Sequence, residues 1–313
     1  MPVYASLHLN LMDADSVIDS LERGARANLT SRVRVGSCDV IGPISPDQRE
    51  RAEQAGDRWL IATGDLHDNP VHMARVVQAA GMTEPDEPPA AHLTLHEVIH
   101  GENLVDGLDL SYRALARVAN LKALFPDHVH TLLANHELSQ IAGAGIVKDG
   151  VPVVQLFNDG VRRVFGADSP RIDAAIGSFV RSMPVALRVR GAGAGGRDLL
   201  CLHSLPSPEL MDRFDPAVMD RPLIDEDYAP RRGSASLIVW GRGHRAADLT
   251  ALGTSMNAGT FILGHEKAPD GCTLLEPNTL ILNSDHERGV TVRVDLSTPN
   301  AAAELARACE PLA

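Results

Sequence analysis

At 313 residues, with 44% hydrophobic and 22% charged side chains, the chain is long enough to bury a substantial core and is close to ordinary globular usage. Aromatic residues make up only 4%, so that core must rest mainly on Ala, Val, Leu and Ile. A formal net charge of −12 argues against a broad nucleic-acid or anionic-membrane surface. The four cysteines, Cys38, Cys201, Cys272 and Cys309, lack CxxC spacing and any dense framework, which argues against a zinc knuckle or disulfide scaffold and favours a reducing compartment. The first 16 residues show no basic flank followed by a long apolar stretch, and no run reaches the roughly 18 apolar residues of a membrane span. The expectation is a cytoplasmic protein of enzyme size.

In chain order, residues 1–57 read as an N-terminal extension, with a short helix opening over Asp15 to Glu22 and an N-cap signal at Ser45-Pro46-Asp47-Gln48. A main domain, 58–313, follows. Trp59 to Thr63 is a short apolar run stopping at Gly64-Asp65, the pattern of a buried strand ending in a loop. Val71 to Ala80 has helical composition, and Thr83 to Pro89, with three prolines and three acids, is a loop. Leu93 to Ile99 is a second strand. Leu110, Ala114, Val118, Leu121 and Phe125 recur at spacings of 4, 4, 3 and 4, a helical stripe that Pro126 ends. Val129 to Leu133 is a third strand. Val164 to Met183 is predicted helical, Val185 to Val189 a strand, Gly191 to Gly196 a turn, and Leu199 to Leu202 a strand. Leu237 to Trp240, Thr260 to Leu263, Thr279 to Leu282 and Val290 to Val294 complete the predicted strands. Strands alternating with helices, with polar loops at the strand ends, make the fold class α/β.

Five polar clusters each follow an apolar run: Gly64-Asp65-Leu66-His67-Asp68-Asn69, His96-Glu97-Val98-Ile99-His100-Gly101, Ala134-Asn135-His136-Glu137, Leu202-His203-Ser204 and Gly264-His265-Glu266. Carboxylate, imidazole and amide oxygen are ligand types that suit Mn²⁺, Fe or Zn²⁺. Taken singly, each has an ordinary reading: a loop feature for Asp-x-His, a helix N-cap for Asn135, a half-buried imidazole for His203 or His265. Glu97 in an apolar strand is harder to dismiss, because a buried carboxylate costs several kcal/mol unless it is paired or bound to a metal. Five such coincidences in one chain argue for a metal centre.

Their order (GD-x-H, an acid, NHE, H, GH) resembles the calcineurin-like metallophosphoesterases, and most of all their phosphoprotein-phosphatase branch of Ser/Thr protein phosphatases and diadenosine-tetraphosphatase-like enzymes. Arg181 to Ala186, followed by Leu200-Cys201-Leu202-His203-Ser204, is similar to that branch's Leu-Pro-hydrophobic strand and its His-Gly-Gly loop. The resemblance covers roughly residues 58 to 294 and implies a central β-sandwich flanked by α-helices. It also implies two divalent metal ions, Mn²⁺ foremost, with Fe or Zn²⁺ as alternatives. Asp65 and His67 would hold the first, Glu97 would bridge, and Asn135, His203 and His265 would hold the second. A metal-bridging hydroxide would be the nucleophile and His136 the general acid. Trp240-Gly241-Arg242-Gly243-His244-Arg245 sits where relatives place a phosphate-contacting arginine, so Arg242 or Arg245 would bind substrate phosphate; a solvated surface turn is the equal alternative. His286 is either a substrate contact or an exposed loop residue.

The chain departs from the pattern at Glu97 and His100, where the family has Asp, and at Gly101, where it has Arg. Ala134 and Ser204 stand in place of Gly. His100 occupies the place of the acid that orients the catalytic histidine. The function implied is hydrolysis of a phosphate monoester: a phosphoprotein, a nucleotide polyphosphate or a small metabolite. Alternatives are a phosphodiesterase of the same superfamily and a catalytically degenerate binding module, the latter motivated by Glu97 and Gly101.

Overall fold

Two β-sheets lie face to face with helices on their outer faces. The structure is a computed structural model and describes residues 9–142, 147–148 and 151–312. In chain order the elements are α1 (Ala14–Thr30), β1 (Arg34–Val35), β2 (Cys38–Ile41), α2 (Arg49–Ala55), β3 (Trp59–Thr63), α3 (Pro70–Ala79), β4 (His92–Leu95), α4 (Tyr112–Leu124), β5 (Val129–Thr131) and α5 (Asn135–Ala142). Then come β6 (Val147–Lys148), β7 (Val151–Pro152), α6 (Val153–Phe165), α7 (Ser169–Ser182), β8 (Ala186–Val189), β9 (Asp198–Leu202), α8 (Ser234–Leu237) and α9 (Ala246–Ser255). The chain closes with β10 (Ala258–Leu263), β11 (Cys272–Leu275), β12 (Thr279–Leu282), β13 (Val290–Asp295), α10 (Ala302–Arg307) and β14 (Cys309–Pro311).

One sheet runs β1-β2-β8-β9-β10-β12-β11 and the other β14-β13-β3-β4-β5. Within the first, β9, β10 and β12 are parallel; within the second, β3, β4 and β5 are parallel. The period of two along a strand explains the layering. Leu60 and Ala62 join Leu187, Leu199, Cys201, Ile262, Leu280, Val292 and Val294 in the layer between the sheets. Ile61, Leu200, Leu202 and Phe261, the alternate residues, belong to the larger helix-covered cluster. Strands buried on both faces read as unbroken apolar runs, and this made them visible in the sequence.

The apolar stripe on α4 forms as expected, and α3 matches its predicted span within a residue. The predicted helix of Asp15–Glu22 is the start of the longer α1. Ser45 and Gln48 make the expected reciprocal contact, with Ser45 N donating to Gln48 Oε1 at 3.2 Å. Three expectations need correction. Leu237–Trp240 is not a strand: α8 ends at Leu237 and turns follow, a case where a short apolar run cannot distinguish helix from strand. The helix predicted over 164–183 is two, α6 and α7, separated by a 3₁₀ turn that begins at Gly166 with φ 54°. The second strand ends at Leu95 rather than Ile99, because the chain turns sharply at Glu97, φ 49°.

Within residues 9–57, expected as an extension, α1 and β2 pack into the body. Ser20 Oγ donates to Ala116 O at 2.8 Å, and Asn28 Nδ2 donates to Ser182 Oγ at 3.0 Å. A Cβ at Gly24 would run into the Ala119 backbone, so α1 and α4 approach more closely than any other residue permits. β2 lies parallel to β8 inside the seven-stranded sheet. Residues 1–8 of the stretch read for a leader lie outside the described residues. Among the described residues, no helix is long and apolar enough to cross a membrane.

Candidate metal centre

The carboxyl ends of the parallel strands of both sheets meet at one hollow, the place where open α/β sheets bind ligands. Asp65 follows β3, His96 and Glu97 follow β4, and Asn135 and His136 open α5 after β5. From the other sheet, His203 follows β9 and His265 follows β10. Asp65 also stitches the sheets together by isolated bridges to His96 and to Asn283, the residue after β12. The turns are tight. His67, Asp68, Glu97, His100 and His265 all have positive φ, between 41° and 65°, a conformation costly for side-chain-bearing residues and concentrated at functional sites. A Cβ at Gly264 would strike the Asp65 carboxylate and the His96 ring, so only glycine fits there.

Glu97 is the hub. Its Oε1 lies 3.2 Å from His67 Nε2 and 3.3 Å from His136 Nε2, and its Oε2 lies 2.9 Å from His203 Nε2. His203 Nε2 is also 2.6 Å from Asn135 Oδ1 and 3.1 Å from His265 Nδ1. On its other side, His203 Nδ1 is 3.5 Å from Asp65 Oδ1 and 3.1 Å from His96 Nδ1. Three groups of metal-capable side chains result: His67, Glu97 and His136; Glu97, His203 and His265; and Asp65, His96 and His203. Asp65 and His67, expected to share an ion, thus fall in different groups. All of these side chains are buried.

The electrostatics follow from that burial. Burial and the neighbouring Glu97 push the Asp65 carboxyl up to about 7. Burial alone would raise Glu97 too, but His203, His67 and His136 outweigh it and hold it well below the usual carboxylate range. Burial opposes a charged His203, yet Glu97 and Asp65 raise it overall. Burial and His203 push His96 down to about 4 and His265 well below its ordinary value. Two carboxylates and several imidazoles crowd one buried site, and His265 Nε2 there makes no hydrogen bond. Buried polar atoms without partners are costly, and a divalent cation bound by N and O donors removes that cost. The donor set therefore fits metal ions.

His100 lies beside His136, Nδ1 to Nδ1 at 3.2 Å, and its Nε2 is 3.1 Å from Gln140 Oε1. Gln140 Nε2 in turn donates to Asn158 Oδ1 at 2.6 Å. Arg242 reaches the rim, donating from Nη2 to His265 O at 3.1 Å. Arg245 is not brought in: its guanidinium is 82% exposed and pairs with Asp248 at 3.4 Å. His286 is half-buried, its Nε2 3.2 Å from Ala268 O. Sequence reasoning passed over two residues. His96 was quoted in its motif without a role, yet it lies against Asp65 and His203. Glu137, whose carboxyl burial and Glu97 push up to about 7, accepts from Val98 N at 2.8 Å and Ile99 N at 3.3 Å and so pins the Glu97 loop. For both positions the available signal was a polar side chain directly beside an expected ligand, His96 before Glu97 and Glu137 after His136. Beside the hollow, Trp240, Arg242, Tyr228, Arg231, Leu210 and Leu237 line a cavity of about 430 Å³.

No protein-family model and no curated protein sequence matches the chain. Solved structures do. A protein serine/threonine phosphatase from Saccharomyces cerevisiae, described as similar to human phosphatase PP5, is 14% identical, with TM-score 0.63 over 90% of this chain and 83% of that one. The cold-active protein-tyrosine phosphatase of the psychrophile Shewanella sp. is 14% identical, with TM-score 0.54 over 86% of this chain and 81% of that one. A further structure described as cold-active protein tyrosine phosphatase is 15% identical, with TM-score 0.53 over 85% of this chain and 78% of that one. The expected resemblance holds at the level of the fold: this chain folds as a calcineurin-like metallophosphoesterase does.

Proposed function

We propose that the chain hydrolyses phosphate monoesters at a dinuclear centre held by Asp65, His67, Glu97, Asn135, His203 and His265, with His136 as general acid and Arg242 gripping the phosphate. The observation that carries this reading is Glu97: one buried carboxylate whose two oxygens face two separate groups of imidazoles. Such a carboxylate would be a ligand shared between the two groups, and divalent ions held there would favour displacement at phosphorus. The chemistry such ions, Mn²⁺ by preference, would supply when bound is a water of lowered pKa and a pull on the charge of the phosphoryl oxygens.

The remaining work belongs to the chain. Gln140 accepts from His100 Nε2–H, which leaves His100 Nδ1 bare to accept from His136 Nδ1–H. In its doubly protonated form His136 keeps Nδ1–H on His100 and presents Nε2–H to the hollow, and that second proton passes to the leaving-group oxygen, leaving His136 neutral. A neutral imidazole orients His136 as the expected carboxylate would, without adding its negative charge. Arg242 is exposed at the mouth, and a guanidinium fork matches phosphate oxygens. The adjoining cavity, with Trp240, Tyr228 and two arginines, suits a phosphate carried on an aromatic or aliphatic group.

The test is Mn²⁺-dependent hydrolysis of a chromogenic aryl phosphate, comparing the native chain, chelator-treated chain and Asp65→Asn. Turnover that requires metal and is lost in Asp65→Asn supports a working centre. Absence of turnover from folded protein with Mn²⁺, Fe²⁺ and Zn²⁺ sinks this reading in favour of a silent phosphoesterase-fold binding module.

A further inference from the structure

At the opposite end of the same three strands, a second group of metal-capable residues is built around an unsatisfied imidazole. Asp57 stands two residues before the start of β3, His92 opens β4, and His128 immediately precedes β5. Their ligand atoms all lie within 4.8 Å of one another. We propose that Asp57, His92 and His128 bind one divalent transition-metal ion of the zinc class, with its open coordination position facing the neighbouring cavity.

The protons decide the case. Asp39 is wholly buried; burial would raise its carboxyl, but Lys122 and His130 outweigh that and keep it ionised. It therefore accepts from His130 Nδ1–H, at 2.7 Å, and His130 Nε2 is left as an acceptor. His92 Nδ1–H fills that acceptor at 3.1 Å. The lone pair of His92 Nε2 is consequently bare. That atom makes no hydrogen bond, on a residue only 2% exposed, and it faces Asp57 Oδ1 at 3.7 Å. Two acceptors facing each other repel unless a cation lies between them.

His128 Nε2–H donates to the same Asp57 oxygen at 3.1 Å, and once an entering ion displaces that proton to solvent it completes an N₂O donor set. Metal-binding histidines characteristically donate their other ring N–H to a fixed acceptor, and His92 does so through His130 to Asp39. Tetrahedral zinc places its ligand atoms about 3.3 Å apart, so a modest contraction suffices. The more exposed partners can supply it: Asp57 is 50% and His128 15% exposed, whereas His92 is held at Nδ1. A cavity of about 600 Å³, lined by Asp57, His92, Arg32, Arg51 and Asp127, gives an entry path and room for a further ligand.

The test uses the full chain loaded with Zn²⁺, gel-filtered and analysed for metal per chain. It compares native, Asp57→Asn and His128→Gln proteins, each also in a Glu97→Gln background that cripples the first centre. Circular dichroism checks the fold, and both substitutions are at partly exposed positions. The expected result is one ion fewer per chain in each variant, in both backgrounds. Equal metal content in native and variant proteins overturns the proposal and assigns the gap beside His92 to water.

Discussion

The strands β3, β4 and β5 carry acids and imidazoles at both ends, and the two ends are built differently. At the carboxyl end three of the donors, His67, Glu97 and His265, sit on turns of positive φ, and all of them are buried. At the amino end Asp57 is half exposed, none of the three donors has positive φ, and only His92 is fixed from behind. Both arrangements rest on the same rule, that parallel strands bring residues distant in sequence to a common edge. The carboxyl end has been given strain and dryness, the marks of a place where charge must be held against water. The amino end offers the same donor chemistry at lower cost, and with less insistence on one geometry.

This contrast can be broken or sharpened by substitution. The largest effect belongs to Gly264→Ala, because the new methyl must displace either the Asp65 carboxylate or the His96 ring. We expect a loss of about 1–3 kcal/mol in urea unfolding, together with loss of bound Mn²⁺ and of aryl phosphate turnover. Retention of both would mean that the carboxyl end is as forgiving as the other. Glu137→Gln should come next. It weakens the grip on Val98 N and Ile99 N that sets the Glu97 loop, and kcat/KM should fall about 10–100-fold, the usual cost of disturbing a support of metal ligands. An unchanged kcat/KM would show that the loop holds its shape alone.

The smallest effect is expected at the amino end. Asp295 accepts from Arg58, the neighbour of Asp57, at 2.8 Å. Burial opposes its ionisation, but hydrogen bonds from Arg58 and Ser297 hold the carboxyl at about 2, below its ordinary 3.8. A depressed carboxylate stabilises the fold above the unfolded value and ceases to do so as pH falls through the folded one. Asp295→Asn should therefore cost about 1 kcal/mol at neutral pH, the pair with Arg58 being partly open to solvent, which screens it. The difference from the native chain should hold steady above 3.8 and close as pH falls to about 2. A gap that persists at the lowest pH would mean that packing, not charge, is what Asp295 contributes.

The sequence makes the carboxyl end legible because each donor cluster there is contiguous and follows an apolar run: GDLHDN after Trp59–Thr63, HEVIH after Leu95, NHE after the β5 strand, His203 after β9. The buried strands themselves show for the same reason. What stays hidden depends on geometry that spacing does not encode. The partition of Asp65 and His67 between different groups follows from the turn at His67, φ 41°, and no pattern of residue types announces it. Arg242 and Arg245 are equivalent as letters, and only the start of α9 at Ala246, with Asp248 beneath it, turns Arg245 away. Asp57, His92 and His128 stand about thirty-five residues apart with no motif around any of them, so nothing short of the fold brings them together.

Because β2 pairs with β8 along Cys38–Ile41, the row of backbone groups on that side of β8 is covered by residues from the first fifth of the chain. A polypeptide shortened to begin at residue 58 would uncover β8 as an open edge with apolar Leu187 and Val189 on it, and would strip α1 from α4 and α7. Unpaired strand edges of that kind recruit other chains. The shortened polypeptide should come out of cells as inclusion bodies rather than as a smaller enzyme.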